Sequence, residues 1–416
     1  MAERIDRVTL EDIDFRDFIR AGDFVVWGQA CAEPVPLTER LLAQRAGLGG
    51  ITCFLGIPVA DTVRPDHADH IRFISYCGSG NNRALAAAGV LEVYPGHYST
   101  LPAFVSRANV VLVHCAPPDE QGRYSLALAD DYLSAAIDSA RIVIAEVNAR
   151  APATPGSRYL TEHDIDIAVH TSRPVAQSLT PPATPDLTAI GGHVAHLIPD
   201  GATLQFGIGS VPEAVLGALG SHRDLGIHSG ILTDAAVELI DKGVVTNTRK
   251  TTDRGVSVAA VLIGSQRLFD HAHRNPAVSL RPIGYTHDPE RLAAQHRLVA
   301  VNSAIEVDLS GQVNAEVAGG RYVGAVGGGA EFLRGAARSA GGIPIIALPA
   351  TAGARSRIVA RLSGPVSTAR SDAGVIVTEF GHADLRGLTL PERREAMLAI
   401  THPDHREALR GSEWQC

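Results

Sequence analysis

Residues 302–335, NSAIEVDLSGQVNAEVAGGRYVGAVGGGAEFLRG, decide the fold of this chain. AIEVDL has the pattern of a β-strand, and a later glycine cluster (Gly324, Gly327, Gly328 and Gly329) runs directly into the helical pattern EFLRGAARSA. Glycines between a strand and a helix let the backbone turn without Cβ clashes, and they expose N–H groups at the helix N-terminus to a ligand. Because GAVGGG does not match the dinucleotide pattern G-x-G-x-x-G, the stretch predicts only an anion or carbonyl oxygen held by backbone amides.

The same alternation of strands and helices extends along the whole chain. Apolar strand patterns such as DFVVWG (23–28), ANVVLVHCA (108–116), ATLQFGIGS (202–210) and IPIIALPA (343–350) alternate with helical patterns such as DYLSAAIDSA (131–140) and DAAVELIDKG (234–243). Strands that alternate with helices favour parallel sheets, and an all-apolar strand suits a sheet covered on both faces. The fold class expected is therefore α/β.

A proline-rich break divides this pattern into two halves. Residues 172–189 carry four prolines after Ser172 and have weak periodicity, as is typical of a linker. We expect two similar open α/β domains, 1–180 and 181–416, with the second carrying most site motifs and the active cleft lying between them. Residues 1–20 have the pattern of an amphipathic lead-in helix, and HRLVAVNSAIEVDL (296–309) that of one strand.

Composition excludes several classes of protein. The 416 residues are 45% hydrophobic and 20% charged, with a net charge of −8 and no basic run, so no nucleic-acid partner is expected. No apolar run approaches the ~18 residues of a membrane span, and the charged N-terminus is unlike a signal peptide. The five cysteines are scattered without a disulfide framework, which favours a reduced, cytoplasmic protein.

Ligands of open α/β sheets bind beyond the carboxyl ends of the strands, so the residues that end strands in the second half are candidates for the site. They offer backbone amides, one amide side chain and one carboxylate, which are groups suited to a carbonyl whose oxygen becomes negative. From the residues alone, the asparagine could instead form a turn and the glutamate could lie on the surface. The candidates are Gly207, Ile208, Gly209, His228, Gly230, Asn302, Gly327, Gly328 and Glu379.

Metal and serine-nucleophile chemistry find no support in the sequence. Histidine pairs such as His193/His196 lack a third or fourth ligand at a convincing spacing, so no metal is expected. The chain has no G-x-S-x-G motif.

Several motifs together resemble the acetyl-CoA hydrolase and CoA-transferase family typified by 4-hydroxybutyrate CoA-transferase. The similar strings include NSAIEVDLSGQVNAE, IIALPATA, VTEFGHADLRG, LQFGIGSVPEAVL and PPDEQGRYSLALADDYLSAA, and they cover most of the chain. The resemblance implies two CoA-transferase-type domains and a homo-oligomer, either dimer or tetramer. It also implies acyl-CoA or CoA as the ligand, with no separate cofactor. It places Asn302 and Glu379 in active-site motifs and the Gly327–Gly328 pair in an oxyanion hole.

One position departs from the family pattern. Family transferases use a glutamate nucleophile in a motif of the form GIH-[ST]-E-x-x-[ST]-D-G, and residues 226–235 here are GIHSGILTDA, which puts Gly230 at the nucleophile position. Glycine has no side chain and cannot be a nucleophile. The glycine cluster differs as well, with Ala325 in place of a family glycine and Gly329 in place of a glutamine.

Three functional hypotheses follow from this departure. The first is an enzyme that acts on an acyl-CoA thioester without a glutamyl-CoA intermediate, by hydrolysis or by chemistry at a bond next to the thioester. The second is a CoA-transferase that uses another carboxylate, and the third is a non-catalytic acyl-CoA-binding protein. The candidate bases for the first hypothesis are Glu379, His228, Glu33 and His97.

Overall fold

The structure, a computed structural model, describes residues 6–413. Its strands are β1 Asp6–Val8, β2 Phe24–Trp27, β3 Ile51–Leu55, β4 Ile71–Ser75, β5 Leu91–Val93, β6 Val110–Cys115, β7 Tyr124–Ser125, β8 Ile142–Asn148, β9 Tyr159–Leu160, β10 Ile167–Thr171, β11 Thr203–Phe206, β12 Gly226–Ile227, β13 Ile231–Leu232, β14 Ser257–Ala259, β15 Val261–Leu262, β16 Val278–Leu280, β17 Leu298–Ser303, β18 Glu306–Asp308, β19 Val313–Asn314, β20 Val317–Ala318, β21 Arg321–Tyr322, β22 Ile343–Ala347, β23 Thr351–Ala352, β24 Arg355–Ser356, β25 Ile358–Val359, β26 Val375–Thr378 and β27 Gly381–Asp384.

The α-helices are α1 Val35–Gln44, α2 Asn82–Ala87, α3 Leu101–Val105, α4 Leu133–Ser139, α5 Pro185–Leu197, α6 Ser210–Gly217, α7 Asp234–Asp241, α8 Gln266–Ala272, α9 Ile283–Thr286, α10 Pro289–Ala294, α11 Gly329–Arg338, α12 Leu390–Ala399 and α13 Pro403–Arg410. Short 3₁₀ helices span Phe15–Asp17, Arg45–Gly47, Pro65–Asp69 and Tyr98–Thr100.

The chain forms two compact units. The first contains the residues through Leu179 together with Leu232–Asp234 and Val258–Thr286, and the second contains Thr180–Ile231, Ala235–Ser257 and the residues from His287 onward. The division near residue 180 agrees with the proline-rich break, but in one respect the structure departs from a continuous second domain 181–416. The segment Val258–Thr286 belongs to the first unit because strand bridges such as Ala129 to Val261 and Asp131 to Pro282 attach it there.

The first unit is built on an eight-stranded, all-parallel sheet. Its order is β1-β10-β8-β6-β2-β3-β4-β5. The central strand β6 is buried along its whole length, as its apolar sequence predicts. One face packs into a core that includes Phe15, Leu41 and Phe73.

The second unit is built on a six-stranded sheet of order β12-β11-β17-β22-β26-β27. Its strands are parallel except for β27, which pairs antiparallel to β26. Helix α11 packs on β17 and β22, with Phe332 and Leu333 in the core. Two parallel α/β sheets confirm the predicted fold class.

Three local predictions are wrong. Residues 1–20 do not form a lead-in helix within the part that is described: Asp6–Val8 pairs with β10, and Phe15 is buried in the core, while residues 1–5 lie outside the described range. The predicted linker 172–189 ends in helix α5, because Thr184 accepts a hydrogen bond from the N–H of Leu187 and Pro185 occupies the first turn. The single strand expected over 296–309 is broken between β17 and β18.

Candidate active site

Two neighbouring parallel strands of the second unit, β11 and β17, bring Gln205 and Asn302 together. The side-chain Nδ2 of Asn302 donates to Oε1 of Gln205 at 2.9 Å, and Nε2 of Gln205 lies 3.3 Å from Oδ1 of Asn302. Both side chains are buried, at 3% and 9% exposure for Gln205 and Asn302. The amide of Asn302 is therefore held in a fixed orientation at the carboxyl ends of the strands, where α/β proteins bind ligands.

Two helices begin beside Asn302. A Cβ atom on Gly207, which leads through Gly209 into α6, would lie 3.3 Å from Oδ1 of Asn302, and a Cβ on Gly329, the first residue of α11, would lie 3.5 Å from the same atom. Only glycine fits comfortably at Gly209 (φ 115°) and Gly327 (φ 58°), whose backbone is left-handed. The predicted glycine turns thus converge on the predicted asparagine.

The first turns of α6 and α11 have no N-cap side chain. Their N-cap residues, Gly209 and Gly328, are glycines and therefore have no side chain with which to cap the first turn. A Cβ on Gly209 would meet nothing within 4 Å, and Ile208 between the two glycines is 48% exposed. Aligned amides and helix dipoles at such ends favour a phosphate, a carboxylate or a developing oxyanion.

The beginning of α11 lies close to both Asn302 and Gly230: Gly329 is next to Asn302, and Phe332 is next to Gly230. A Cβ on Gly230 would lie 3.5 Å from Cε1 and 3.7 Å from Nε2 of His287, and 3.8 Å from Cε2 of Phe332. The two rings pack against each other with centroids 4.5 Å apart. The position without a side chain therefore faces the edge of a buried imidazole, a residue that the sequence analysis did not single out.

The surroundings of His287 keep its imidazole neutral. It is 4% exposed, and burial, followed by repulsion from His228, lowers the pKa of His287 to about 3. His228 is completely buried, and its Nδ1 lies 3.3 Å from Nε2 of Gln295, which also donates to Thr252 at 2.9 Å. The predicted residue His228 therefore lies in the same cluster as Gly230, next to His287.

The loop that carries His228 and Gly230 is fixed by buried polar contacts. Asn247 accepts a hydrogen bond from the N–H of Ile227 at 2.8 Å, and the fully buried Lys250 donates to the carbonyl of Ile227 at 2.8 Å. The hydroxyl of Ser229 donates to the carbonyl of Phe206 at 3.2 Å, at the end of β11. These bonds hold Gly230 at the carboxyl edge of the sheet.

Glu379 lies at the end of β26 and has other partners. Its Oε2 accepts a hydrogen bond from the N–H of Ala350 at 2.8 Å, and Nε2 of His193 lies 3.3 Å from its backbone carbonyl. Strand β26 is separated from β17 by β22, which places it roughly 10 Å from β17 at ~4.8 Å per strand. The structure thus does not join the half-buried carboxylate of Glu379 directly to Asn302 or Gly230.

Glu33 belongs to the first unit and is buried there. Its Oε1 accepts hydrogen bonds from the hydroxyls of Thr38 at 2.8 Å and Thr62 at 2.5 Å. Burial raises the pKa of Glu33 to about 7, although the two hydroxyls and the nearby charge of Arg173 act in the opposite direction. The two hydroxyls hold the Glu33 carboxyl in place, and its pKa of about 7 leaves it only partly ionised at neutral pH.

Within residues 6–413, no three His, Cys, Asp or Glu side chains are grouped so that they could hold a metal ion. None of the helices described is long and apolar enough to cross a membrane.

An open α/β sheet whose strand ends lie beside two helix starts and a buried amide has the arrangement at which α/β proteins commonly bind their ligands. The sequence comparisons specify the family. The acetyl-CoA hydrolase/transferase N-terminal domain model matches residues 10–183, and the C-terminal domain model matches residues 264–412. This chain belongs to the acetyl-CoA hydrolase/transferase family, whose substrates are CoA thioesters.

One named relative matches nearly the full length of the chain, and another matches half of it. The 4-hydroxybutyrate coenzyme A transferase of Clostridium kluyveri is 36% identical over 396 residues, covering 92% of each protein. The acetyl-CoA hydrolase of Kluyveromyces lactis is 30% identical over 211 residues, covering 50% of this chain and 40% of that protein.

Solved structures agree with the fold. RipA from Yersinia pestis superposes with a TM-score of 0.92 at 34% identity, covering 97% of this chain and 96% of the other. The 4-hydroxybutyrate CoA-transferase from Porphyromonas gingivalis has a TM-score of 0.81 at 34% identity, with the same shares covered.

Proposed function

We propose that this protein is an acyl-CoA hydrolase that works without a glutamyl-CoA intermediate, with Gly230 at the family's nucleophile position. The observation that carries the proposal is the surroundings of Gly230. The three atoms nearest to a Cβ built there belong to the rings of His287 and Phe332, and none is a carboxylate oxygen. A carboxylate nucleophile gains its rate from being held against the thioester, and glycine offers none.

The groups that would polarise a thioester are present beside this position. The N–H groups at the starts of α6 and α11 and the amide of Asn302 lie at one edge of the sheet. Removing one preorganised donor from an oxyanion hole typically costs 10²–10³-fold in rate, so such donors are the main part of the catalytic apparatus. Together with a water molecule in place of the missing side chain, they supply what hydrolysis requires. Chemistry at a carbon–carbon bond next to the thioester would use the same polarised carbonyl.

CoA transfer through another carboxylate is the second candidate. Full-length relatives such as the Clostridium kluyveri protein are named transferases, which favours it. The two carboxylates to be considered are Glu379, whose Oε2 is bonded to the N–H of Ala350, and Glu33, whose Oε1 accepts from two threonines. Either one would have to exchange these contacts for the thioester carbon.

The test is release of CoA from a panel of acyl-CoA thioesters, measured with and without free carboxylates as acceptors. Release that does not depend on an acceptor supports hydrolysis, and release that requires one supports transfer. The matched variant is Gly230→Glu: a Cβ fits at this position in ordinary contact, so we expect a folded protein that gains acceptor-dependent transfer. Release of CoA from the wild-type protein only in the presence of an acceptor would overturn the proposal.

We also propose that the protein is a homo-oligomer, on the basis of its family alone. Sedimentation should then give a mass that is a multiple of the 43.8 kDa chain, and a monomer would contradict it.

A further inference from the structure

The imidazole of His287 is the polar side chain closest to Gly230. We propose that His287 is the catalytic base, which takes a proton from a water molecule bound beside Gly230, and that this pair replaces a carboxylate nucleophile. The inference rests on the proposed hydrolase function and deepens it, because it assigns the base that hydrolysis requires.

The distances suit a water molecule between the two residues. The space left by the missing side chain begins at the Cβ position of Gly230, which is 3.7 Å from Nε2 and 3.5 Å from Cε1 of His287. A water cannot occupy the Cβ position itself, which is at bonding distance from Cα, but a water in van der Waals contact with Gly230 can lie roughly 2.7–3.2 Å from Nε2, the length of a hydrogen bond. Phe332 closes the third side and fixes the imidazole by ring packing.

The protonation of the cluster agrees with this role. A base must be unprotonated before the reaction, and burial together with His228 lowers the pKa of His287 to about 3. His228 is the titratable neighbour that affects it, whereas Phe332 and Gly230 carry no charge. Within the same cluster Gln295 has a buried Oε1 without a hydrogen-bond partner in the described residues, and unsatisfied oxygens of this kind commonly bind buried water.

A weakly basic imidazole can still accept a proton here, because two opposite charges form together. The proton leaves the water for His287 as the thioester oxygen becomes negative at the helix N-termini, and attraction between opposite charges is strong where water is excluded. The imidazolium is therefore formed next to an oxyanion and not as an isolated buried charge.

The step balances without another reactant. The water oxygen bonds to the thioester carbon while Nε2 of His287 takes one water proton, which gives a tetrahedral oxyanion and an imidazolium. The carbon–sulfur bond then breaks, and the imidazolium returns the proton to the departing CoA thiolate. The products are the free acid, which ionises in solution, and CoA with its thiol.

The main test is His287→Ala, assayed on the acyl-CoA that the wild-type protein hydrolyses best. We expect kcat to fall ~10²–10⁴-fold, the usual contribution of general base catalysis, with KM little changed. Added imidazole should restore part of the rate, because the variant leaves a ring-sized space next to Phe332. The matched control is His222→Ala, which removes a half-buried histidine that lies within 3.1 Å of the carbonyls of Ala195 and Ile198. Its activity should be unchanged and insensitive to imidazole.

Gly230→Ala tests the proposed water molecule by adding a methyl group next to its binding position. The added carbon makes only ordinary contacts and Gly230 has no left-handed backbone, so the variant should fold. It should nevertheless displace the water and lower kcat by at least ~10-fold. Suppose that His287→Ala loses activity and imidazole does not rescue it. The assignment is then still supported if Gly230→Ala is also slow. It is overturned if Gly230→Ala is as fast as the wild type.

Failure of this inference differs from failure of the hydrolase proposal. If the wild-type protein hydrolyses acyl-CoA and His287→Ala does so at the same rate, only the assignment of the base is overturned. If the wild-type protein releases CoA solely in the presence of a carboxylate acceptor, the hydrolase proposal itself is overturned.

Discussion

Buried polar groups are satisfied differently in the two units. In the first unit, Glu33 accepts from Thr38 and Thr62, and Asp131 accepts from Nε2 of Gln29 at 2.7 Å and from the N–H of Leu133 at 3.1 Å. Burial raises the pKa of Glu33 and of Asp131 to about 7. Each of these acids already has protein donors directed at it.

In the second unit, the two helix starts near Asn302 and Gly230 lack such side-chain partners. The starts of α6 and α11 have no side-chain cap among the residues described, and the position between His287 and Phe332 carries no side chain. The difference teaches that strong burial of an acid does not by itself mark a catalytic group. Helix starts that lack a capping side chain and lie beside a buried amide are the better indication of where a substrate binds.

The largest effect that would sharpen this comparison is expected from Asn302→Ala. The change removes the second N–H of the Asn302 amide, the one that is not donated to Gln205, so kcat/KM for the thioester should fall ~10²–10³-fold. It also leaves the buried amide of Gln205 unpaired, which should cost ~1–3 kcal/mol of stability.

The control for that loss is Asn109→Ala in the first unit. Asn109 accepts a hydrogen bond from the N–H of Phe24 at 2.8 Å, at the start of β2, the opposite end of a strand from the one that binds ligands. This variant should lose stability but keep its kcat/KM. If both variants lose activity equally, Asn302 acts only through stability.

A smaller effect, on stability, is expected from Glu33→Gln. Because the folded pKa of about 7 is raised above the ordinary 4.5, Glu33 favours folding most below pH 4.5, and that advantage is lost as the pH rises to about 7. Relative to the wild type, the variant should gain roughly 3 kcal/mol of unfolding free energy between pH 4 and pH 8, at ~1.4 kcal/mol per pKa unit.

Denaturant titrations at several pH values measure this gain. The matched control is Glu39→Gln: Glu39 is exposed on helix α1 and is the smallest of the named causes that act on the pKa of Glu33, so its replacement should change the pH dependence of stability much less. A Glu33→Gln variant whose stability follows that of the wild type at every pH would mean that Glu33 is not a buried, destabilised acid.

The sequence predicted local elements well where one signal dominated. The glycine cluster before α11 and the apolar run of β6 were recognised because turns and buried strands have distinctive compositions. The break between β17 and β18 was missed, because NSAIEVDL remains strand-like on both sides of Ala304. Only tertiary pairing separates the two strands, since β18 pairs with β19 and β25 in another sheet.

The composition of the site was less predictable than its location. The pairing of Gln205 with Asn302 joins residues 97 positions apart, and the approach of His287 to Gly230 depends on how α11 packs. His287 directly precedes Asp288, which accepts from the N–H of Arg291 and begins α10, so its local sequence indicates a helix start and not a catalytic group. No motif in the chain marks it.

The most direct test of the central claim is a single turnover in ¹⁸O-labelled water, with the enzyme in excess over acyl-CoA. If water bound beside Gly230 attacks the thioester, the acid product gains one ¹⁸O atom and no protein carboxylate is labelled. A carboxylate nucleophile that is acylated and then attacked by CoA would give its own unlabelled oxygen to the acid, and the label would appear on that side chain when its CoA thioester is hydrolysed. An unlabelled acid with ¹⁸O on Glu33 or Glu379 would contradict the account.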